Sequence, residues 1–466
     1  MGRRKKIIEN LLLEDFVTEG QAIGRQDGKV YFVTNGVPGD VANVLLKKNK
    51  KDYGKGSLHK LISPSEMRIE PFCAHFEWCG GCKWQYLSYA NQLIFKQKIV
   101  TDTLKRLGKI DLPKPLPIIG AQPNVAYRNK MEYSFSNTRW LTPDEIASDE
   151  IIENSPSVGL HVPGFYDKIV DIEKCYLQDE FADKIRNEVK RYALEKNISF
   201  INIRTKEGFI RSMFIRNSTL NEWMVNMVFN YYDKELVESF MQHLVNTFPE
   251  IDAFHYMINE KLNDTVFDLE CITVKGPGFI TEQIGHLKFQ ISPLSFFQTN
   301  SYQAKNLYDV VKSFANLSKD DLVYDLYSGT GTIGMYLANN CKQVIGIESN
   351  ADSVKDAFRN AKLNDIENVD FYDGEVRARL QEAIANYGKP DVAIIDPPRV
   401  GLHKDAIEQL IELKPKKIVY VSCNPATQAR DLNILDEHYT VKQYQPVDMF
   451  PHTYHIENVA ELILKQ

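Results

Sequence analysis

The hydrophobic rhythm of the chain changes along its length, and each change predicts a different architecture. Over the first seventy residues short apolar runs alternate with polar turns: Gln21-Ala22-Ile23-Gly24-Arg25, Lys29-Val30-Tyr31-Phe32-Val33 and Gly39-Asp40-Val41-Ala42-Asn43-Val44-Leu45-Leu46, with Asp-Gly and Asn-Gly at the turns. That pattern predicts a small OB-like β-barrel over residues 1–68. From Tyr86 to Leu107 apolar positions recur at helical spacing, stopping at Gly108 with Pro113, Pro115 and Pro117 beyond; this helix is expected to pack on the C-terminal domain. Residues 126–285 mix short strands with helices such as Glu180 to Lys196 and Lys234 to Thr247, so 69–285 reads as a central α+β domain. From 286 to 466 the period becomes βαβ, with buried strands at Leu322–Tyr327, Val344–Glu348, Asp391–Ile395 and Lys417–Val421. The last domain is therefore α/β and Rossmann-like. No internal repeat interrupts this order.

Composition narrows the class. With 466 residues the chain is too long for one core, and 43% hydrophobic with 25% charged residues is the balance of a soluble globular protein. No run of eighteen apolar residues occurs, and Met1-Gly2-Arg3-Arg4-Lys5-Lys6 lacks the apolar stretch of an export signal. A cytoplasmic protein with no membrane contact is expected, and no obligate protein partner is implied. The net charge of −6 hides an asymmetry: residues 1–60 hold 12 Lys/Arg against 7 Asp/Glu, a local +5. The run Lys47-Lys48-Asn49-Lys50-Lys51 is either a solvated loop or a phosphate-backbone contact. Single-stranded RNA suits such a barrel.

The odd count of seven cysteines argues against a disulfide framework and toward metal or catalytic roles. Cys73, Cys79 and Cys82 cluster, with Gly80-Gly81 letting the backbone wrap closely around a metal centre, and Cys175 is the nearest later thiol. Four thiols suit a closed structural site, either zinc or a 4Fe-4S cluster, and spacing does not choose between them. Phe72, Phe76, Trp78, Trp84 and Tyr86 flank the cluster and either shield it or stack on bases. Tyr127-Arg128-Asn129-Lys130 reads as an RNA contact or an ordinary surface strand, and Cys271 and Cys341 as packing residues.

In the α/β domain, Gly329, Gly331 and Gly334 open a helix directly after a strand, and Glu348 follows about twenty residues on. A nicotinamide dinucleotide and S-adenosylmethionine both fit that spacing. Asp325, an acid just before the glycines, favours the methyl donor. Asp396-Pro397-Pro398-Arg399 ends another strand, its prolines holding an extended backbone that turns the carboxylate to the cleft. Arg399 stands where amine methyltransferases carry an aromatic residue, which weakens nitrogen methylation. Cys423 closes the next strand. The following Asn424-Pro425 does not carry on into a regular helix, so the backbone turns and presents the sulfur at a strand edge. Taken alone, such a thiol is more often a buried packing residue than a nucleophile.

The order Phe296-Phe297-Gln298-Thr299-Asn300, Asp325-Leu326-Tyr327-Ser328-Gly329-Thr330-Gly331, Asp396-Pro397-Pro398-Arg399, Ser422-Cys423-Asn424-Pro425 and His455-Ile456-Glu457-Asn458 resembles the RNA uracil-5 methyltransferase family. The barrel resembles its TRAM domain, and Cys73, Cys79, Cys82 and Cys175 resemble the 4Fe-4S cluster of its 23S rRNA branch. The resemblance implies a catalytic pair, with Cys423 as nucleophile on carbon 6 of uracil and Glu457 as the base that removes the carbon-5 proton. It also implies an S-adenosylmethionine pocket lined by Gln298, Tyr327, Glu348 and Asp396, with Thr332 and Asp373 as further positions. The target base must leave its stack to reach a thiol and a sulfonium on opposite faces, so a single-stranded or looped segment of 23S rRNA is the expected partner. A tRNA uridine-54 enzyme is the alternative within the family, and the cluster and barrel argue against it. A nicotinamide-dependent oxidoreductase and a non-catalytic RNA-binding protein are the alternatives outside it.

Overall fold

The computed structural model describes residues 6–148, 152 and 155–466. Met1 to Lys5, where the basic start was read for an export signal, lie outside them. Ile7–Phe16 (β1), Ala22–Gln26 (β2), Lys29–Thr34 (β3), Val41–Asn49 (β4) and Tyr53–Ser63 (β5) close into a barrel in the order β1-β2-β3-β5-β4. Alternation along β1 turns Leu11 and Leu13 inward, and a register shift between Leu13 and Asp15 brings Phe16 to the same core. The exposed Lys47–Lys51 run forms the end of β4 and the turn after it.

Tyr89–Thr103 (α1) starts at Ser88, whose hydroxyl accepts from the Asn91 amide at 3.3 Å, and ends in one wider turn through Gly108. Its Phe95 and Ile99 complete the barrel core with Phe16 and Trp84, while Val100 and Leu104 enter the core of the C-terminal domain. One helix thus pins barrel and C-terminal domain together. Lys96 of α1 is fully buried and donates to Asp448 at 2.6 Å and to the Phe450 carbonyl at 3.0 Å.

The central unit is one seven-stranded sheet carrying helices Pro143–Ala147 (α2), Glu180–Glu195 (α3) and Lys234–Thr247 (α4). Its strands are Lys130–Ser136 (β6), Ser157–His161 (β7), Ile169–Asp171 (β8), Ile210–Asn217 (β9), Trp223–Phe229 (β10), Ala253–Ile258 (β11) and Ile272–Lys275 (β12), in the order β12-β11-β10-β9-β6-β7-β8. A hairpin, Ile280–Ile284 (β13) with Leu287–Ile291 (β14), leads into the last domain.

There the strands Leu322–Leu326 (β15), Gln343–Glu348 (β16), Val369–Asp373 (β17), Val392–Ile395 (β18), Lys417–Ser422 (β19), Tyr439–Val447 (β20) and Glu457–Leu464 (β21) form a sheet in the order β17-β16-β15-β18-β19-β21-β20. Helices Ser301–Ala315 (α5), Thr332–Ala338 (α6), Ala351–Leu363 (α7), Val376–Tyr387 (α8), Lys404–Leu413 (α9) and Pro425–Leu435 (α10) cover it. The unbroken apolar runs follow from burial on both faces: Val392 and Ile394 enter one core, Ala393 and Ile395 the other, and Val419 and Val421 likewise oppose Ile418 and Tyr420. β15 to β19 are parallel, and chain order reverses between β15 and β18. A crevice opens at the carboxyl ends beside such a switch point.

The turn read at Cys423 needs correcting on one point. The backbone does leave the strand at Ser422, but α10 begins at once, with Asn424 as its cap and Pro425 in its first turn. Proline lacks only an amide that the first turn leaves unbonded anyway, so it starts a helix well. The Asn424 side chain accepts from the Ala426 amide at 3.1 Å.

Candidate active site

Four strand ends deliver the predicted residues to one place. Tyr327 follows β15, Glu348 ends β16, Asp396 follows β18 and Cys423 follows β19. β21 runs antiparallel to β19, so its first residue, Glu457, arrives at the same edge. The last paired residues are Ser422 and Asn458, and Cys423 and Glu457 lie one step beyond them. Directly opposed residues put their side chains on the same face. All five line a cavity of about 990 Å³, together with Gln298 and Thr332. Asp373 ends β17, exposed and outside this lining; Glu375, two residues on, lines it instead.

The glycine loop is held from two sides. Asp325 accepts from the Gly334 amide at 2.9 Å, and Glu348 accepts from the Gly329 amide at 2.9 Å and the Asn350 amide at 2.8 Å. Gly331 has a φ of +74°, and a Cβ there would stand 2.7 Å from the Phe371 ring, so no other residue fits without strain. Tyr327 itself holds a φ of +66°, a cost that non-glycine residues accept mainly at functional turns. The Asp396 turn is tied to the Cys423 turn, because the Arg399 carbonyl accepts from Asn424 Nδ2 at 3.0 Å and from Thr427 Oγ1 at 3.3 Å.

Acids outnumber cations in the lining, with Asp325, Glu348, Glu375, Asp396 and Glu457 against Arg377, Arg399 and Lys404. Burial pushes the Asp325 and Asp396 carboxyls up to about 7. Glu457 is raised well above the usual carboxylate range by burial and by Asp396, and Arg399 opposes the rise. Burial, then Glu457 and Asp396, push the Cys423 thiol up to about 12. One oxygen of Asp325 and the Ser328 hydroxyl are buried without a partner. A cationic, hydrogen-bonding ligand is the natural complement of such a pocket.

The four outlying cysteines come into mutual range: Cys73, Cys79 and Cys175 each raise the Cys82 thiol, though burial is the larger cause. None of the four forms a disulfide. Gly81 donates its amide to Cys79 Sγ at 3.4 Å, and a Cβ on Gly80 would stand 2.5 Å from the His161 carbonyl, so the loop wraps as the paired glycines predict. A metal centre at these cysteines stays an expectation of the sequence. Among the described residues no group of three or more His, Cys, Asp or Glu side chains stands ready to hold a metal ion. Burial pushes the Cys79 and Cys82 thiols up to about 12, and a metal bound there takes the place of their protons.

Of the flanking aromatics, Phe76 and Trp84 are buried, and Trp84 packs 4.8 Å from Phe16 of the barrel; Phe72 is the exposed one. Tyr127 and Asn129 are also buried, Tyr127 donating to the Pro451 carbonyl at 3.0 Å, which removes them as a surface strand or RNA contact. Cys341 packs in the core and Cys271 lies half-buried against Phe214 and Val228. Sequence reading missed Phe267, Glu375 and Arg377 in the cavity wall. Phe267 comes from the central domain, so no local pattern marks it. Glu375 had a signal, since it precedes a helix that starts at a strand's carboxyl end.

A glycine loop under a buried acid, a second acid at the next strand end and a crevice at the switch point define an S-adenosylmethionine-dependent methyltransferase. The chain belongs to the tRNA (uracil-5-)-methyltransferase family, whose pattern matches residues 216–465. A TRAM domain matches residues 8–59, which is the five-stranded barrel. A relative from Bacteroides thetaiotaomicron is 48% identical over 451 residues, covering 96% of this chain and 99% of its own length. One from Porphyromonas gingivalis is 43% identical over 459 residues, covering 97% and 99%. Both are described as uncharacterized RNA methyltransferases. The crystal structure of Pyrococcus abyssi tRNA (uracil-54, C5)-methyltransferase in complex with S-adenosyl-L-homocysteine superposes with a TM-score of 0.74 at 30% identity, covering 97% of this chain and all of that one. The protein is an RNA (uracil-5-)-methyltransferase that uses S-adenosylmethionine. Among the described residues no helix is long and apolar enough to cross a membrane.

Proposed function

We propose that this enzyme methylates carbon 5 of a uridine in 23S rRNA through a covalent bond between Cys423 and carbon 6 of the base. The observation that carries the mechanism is the meeting of Cys423 and Glu457 from antiparallel strands in the cavity that also holds the glycine loop. Carbon 5 of uracil is a weak nucleophile. The Cys423 thiolate adds to carbon 6, and the electron pair of the 5,6 double bond moves toward the carbonyl at carbon 4, making carbon 5 an enolate carbon. S-adenosylmethionine supplies the methyl group that this carbon takes. Glu457 then removes the carbon-5 proton, the double bond re-forms and the carbon–sulfur bond breaks, returning Cys423. Burial raises both groups, so a cation beside them favours their working charges.

Gln298, Tyr327, Thr332, Glu348 and Asp396 are assigned to the donor pocket, with Glu348 on the ribose hydroxyls, while exposed Asp373 has a weaker claim. The four cysteines fit a 4Fe-4S cluster, with zinc as the alternative: they form an all-thiol donor set, stay out of disulfides and receive an amide at Cys79 Sγ. Metal analysis of anaerobically purified protein separates the two, and zinc without iron would remove the cluster. A tRNA uridine-54 substrate is the second reading, favoured by the full-length likeness to the Pyrococcus abyssi enzyme. Mass spectrometry of rRNA and tRNA from cells with and without the protein decides: 5-methyluridine lost from 23S rRNA supports the first reading, and its loss from tRNA alone the second.

A further inference from the structure

A second groove is joined to the catalytic cavity by one loop that lines both. The loop after β11 sends Phe267, 66% exposed, into the catalytic cavity and Leu262, 81% exposed, into the neighbouring groove. Five residues of chain span at most about 17 Å, a distance a few nucleotides cover. The tip of the β7–β8 hairpin also lines it, with Phe165 and Tyr166 49% and 73% exposed. The floor is Gly80 of the cysteine loop, pressed against the His161 carbonyl.

This tip is a fixed platform. The Phe165 ring packs 5.7 Å from Trp140, which packs 6.3 Å from Trp78. Tyr166 beside it faces solvent. Tyr166, bulky and held in water on a tight hairpin, is spare to that packing, and an unstacked base is the planar partner it suits. The charges agree. Arg204 and Lys206 line the groove, and both acids at its edge are already neutralised: Asp167 is ion-paired with Arg204, and Asp264 with buried Arg211 at 2.6 Å. Among the described residues Lys206 forms no ion pair, leaving it for a phosphate.

We propose that single-stranded RNA flanking the target uridine runs over the 262–267 loop into this groove, stacking one base on Tyr166 beside Phe165 and setting a phosphate against Lys206. The proposal rests on the Cys423 cavity as the place where the uridine reacts. It makes the central domain a reader of flanking RNA, beyond any role in holding metal.

The test measures binding and methyl transfer separately on the full-length protein. A fluorescein-labelled oligouridylate of about twelve nucleotides reaches the groove from the cavity, and one of about two does not. Tyr166→Ala is expected to weaken binding of the longer RNA roughly tenfold, leave the shorter RNA unchanged and leave the unfolding temperature unchanged. Tyr166→Trp should restore binding. Lys206→Ala should reduce the salt dependence of binding by about one phosphate contact. Equal affinity of wild type, Tyr166→Ala and Lys206→Ala for the longer RNA overturns the proposal. Labelled methyl transfer in the same samples reports on the Cys423 reading independently, so a groove that binds RNA beside an inactive Cys423 would be seen as such.

Discussion

Cys423 and Glu457 face each other across the end of the β19–β21 ladder, one step past the pairing of Ser422 with Asn458. The arrangement gives them successive tasks on the two ends of one carbon–carbon bond. Glu457→Gln should therefore stop release and spare attachment. Turnover is expected to fall by about 10²–10⁴, while a denaturation-resistant enzyme–RNA species builds up on a gel in the presence of S-adenosylmethionine. Cys423→Ala should form no such species.

The carboxyl of Asp396 sits at about 7 in the folded protein, above its unfolded value near 3.9. An acid raised this way binds its proton more tightly when folded, so it favours the folded state at low pH. That contribution is lost as pH rises from about 4 through 7. Asp396→Asn cannot ionise, and the ligand-free variant should melt above wild type at pH 8 and close to it at pH 4. Thermal unfolding across that range checks the sign. A wild type that gains on Asp396→Asn as pH rises would contradict the assigned burial.

Lys96 and Asp448 form a fully buried ion pair between α1 and the loop that leads to Glu457. Removing one partner strands the other, at a cost of about 3–5 kcal/mol. Lys96→Met should lower stability by that amount in chemical denaturation. Its loss should be smaller when combined with Asp448→Asn, which removes the unpaired charge.

The sheet was legible because its strands are buried on both faces, which leaves long apolar runs, and because the chemistry stands at the strand ends. Asp325, Glu348, Asp396 and Cys423 could each be placed from the run before them. Glu457 was harder: it begins an antiparallel strand, and only the family resemblance marked it. Phe267 and the Tyr166 groove were invisible, since loops of the central domain bring them to the site through tertiary packing. The buried state of Tyr127 and Asn129 was hidden for the same reason, as a polar-aromatic stretch reads alike on a surface and at a domain contact. Asn424-Pro425 misled because a proline that ends one helix opens another equally well.

The most direct test of the account uses RNA carrying 5-fluorouridine at the target position, where fluorine replaces the proton that Glu457 removes. Incubated with S-adenosylmethionine, denatured and digested, the enzyme should yield one nucleotide-bearing peptide, modified at Cys423 and heavier by the fluorinated nucleotide plus one methyl group in place of the thiol hydrogen. Attachment at another residue, or an adduct that persists in Cys423→Ala, would contradict it.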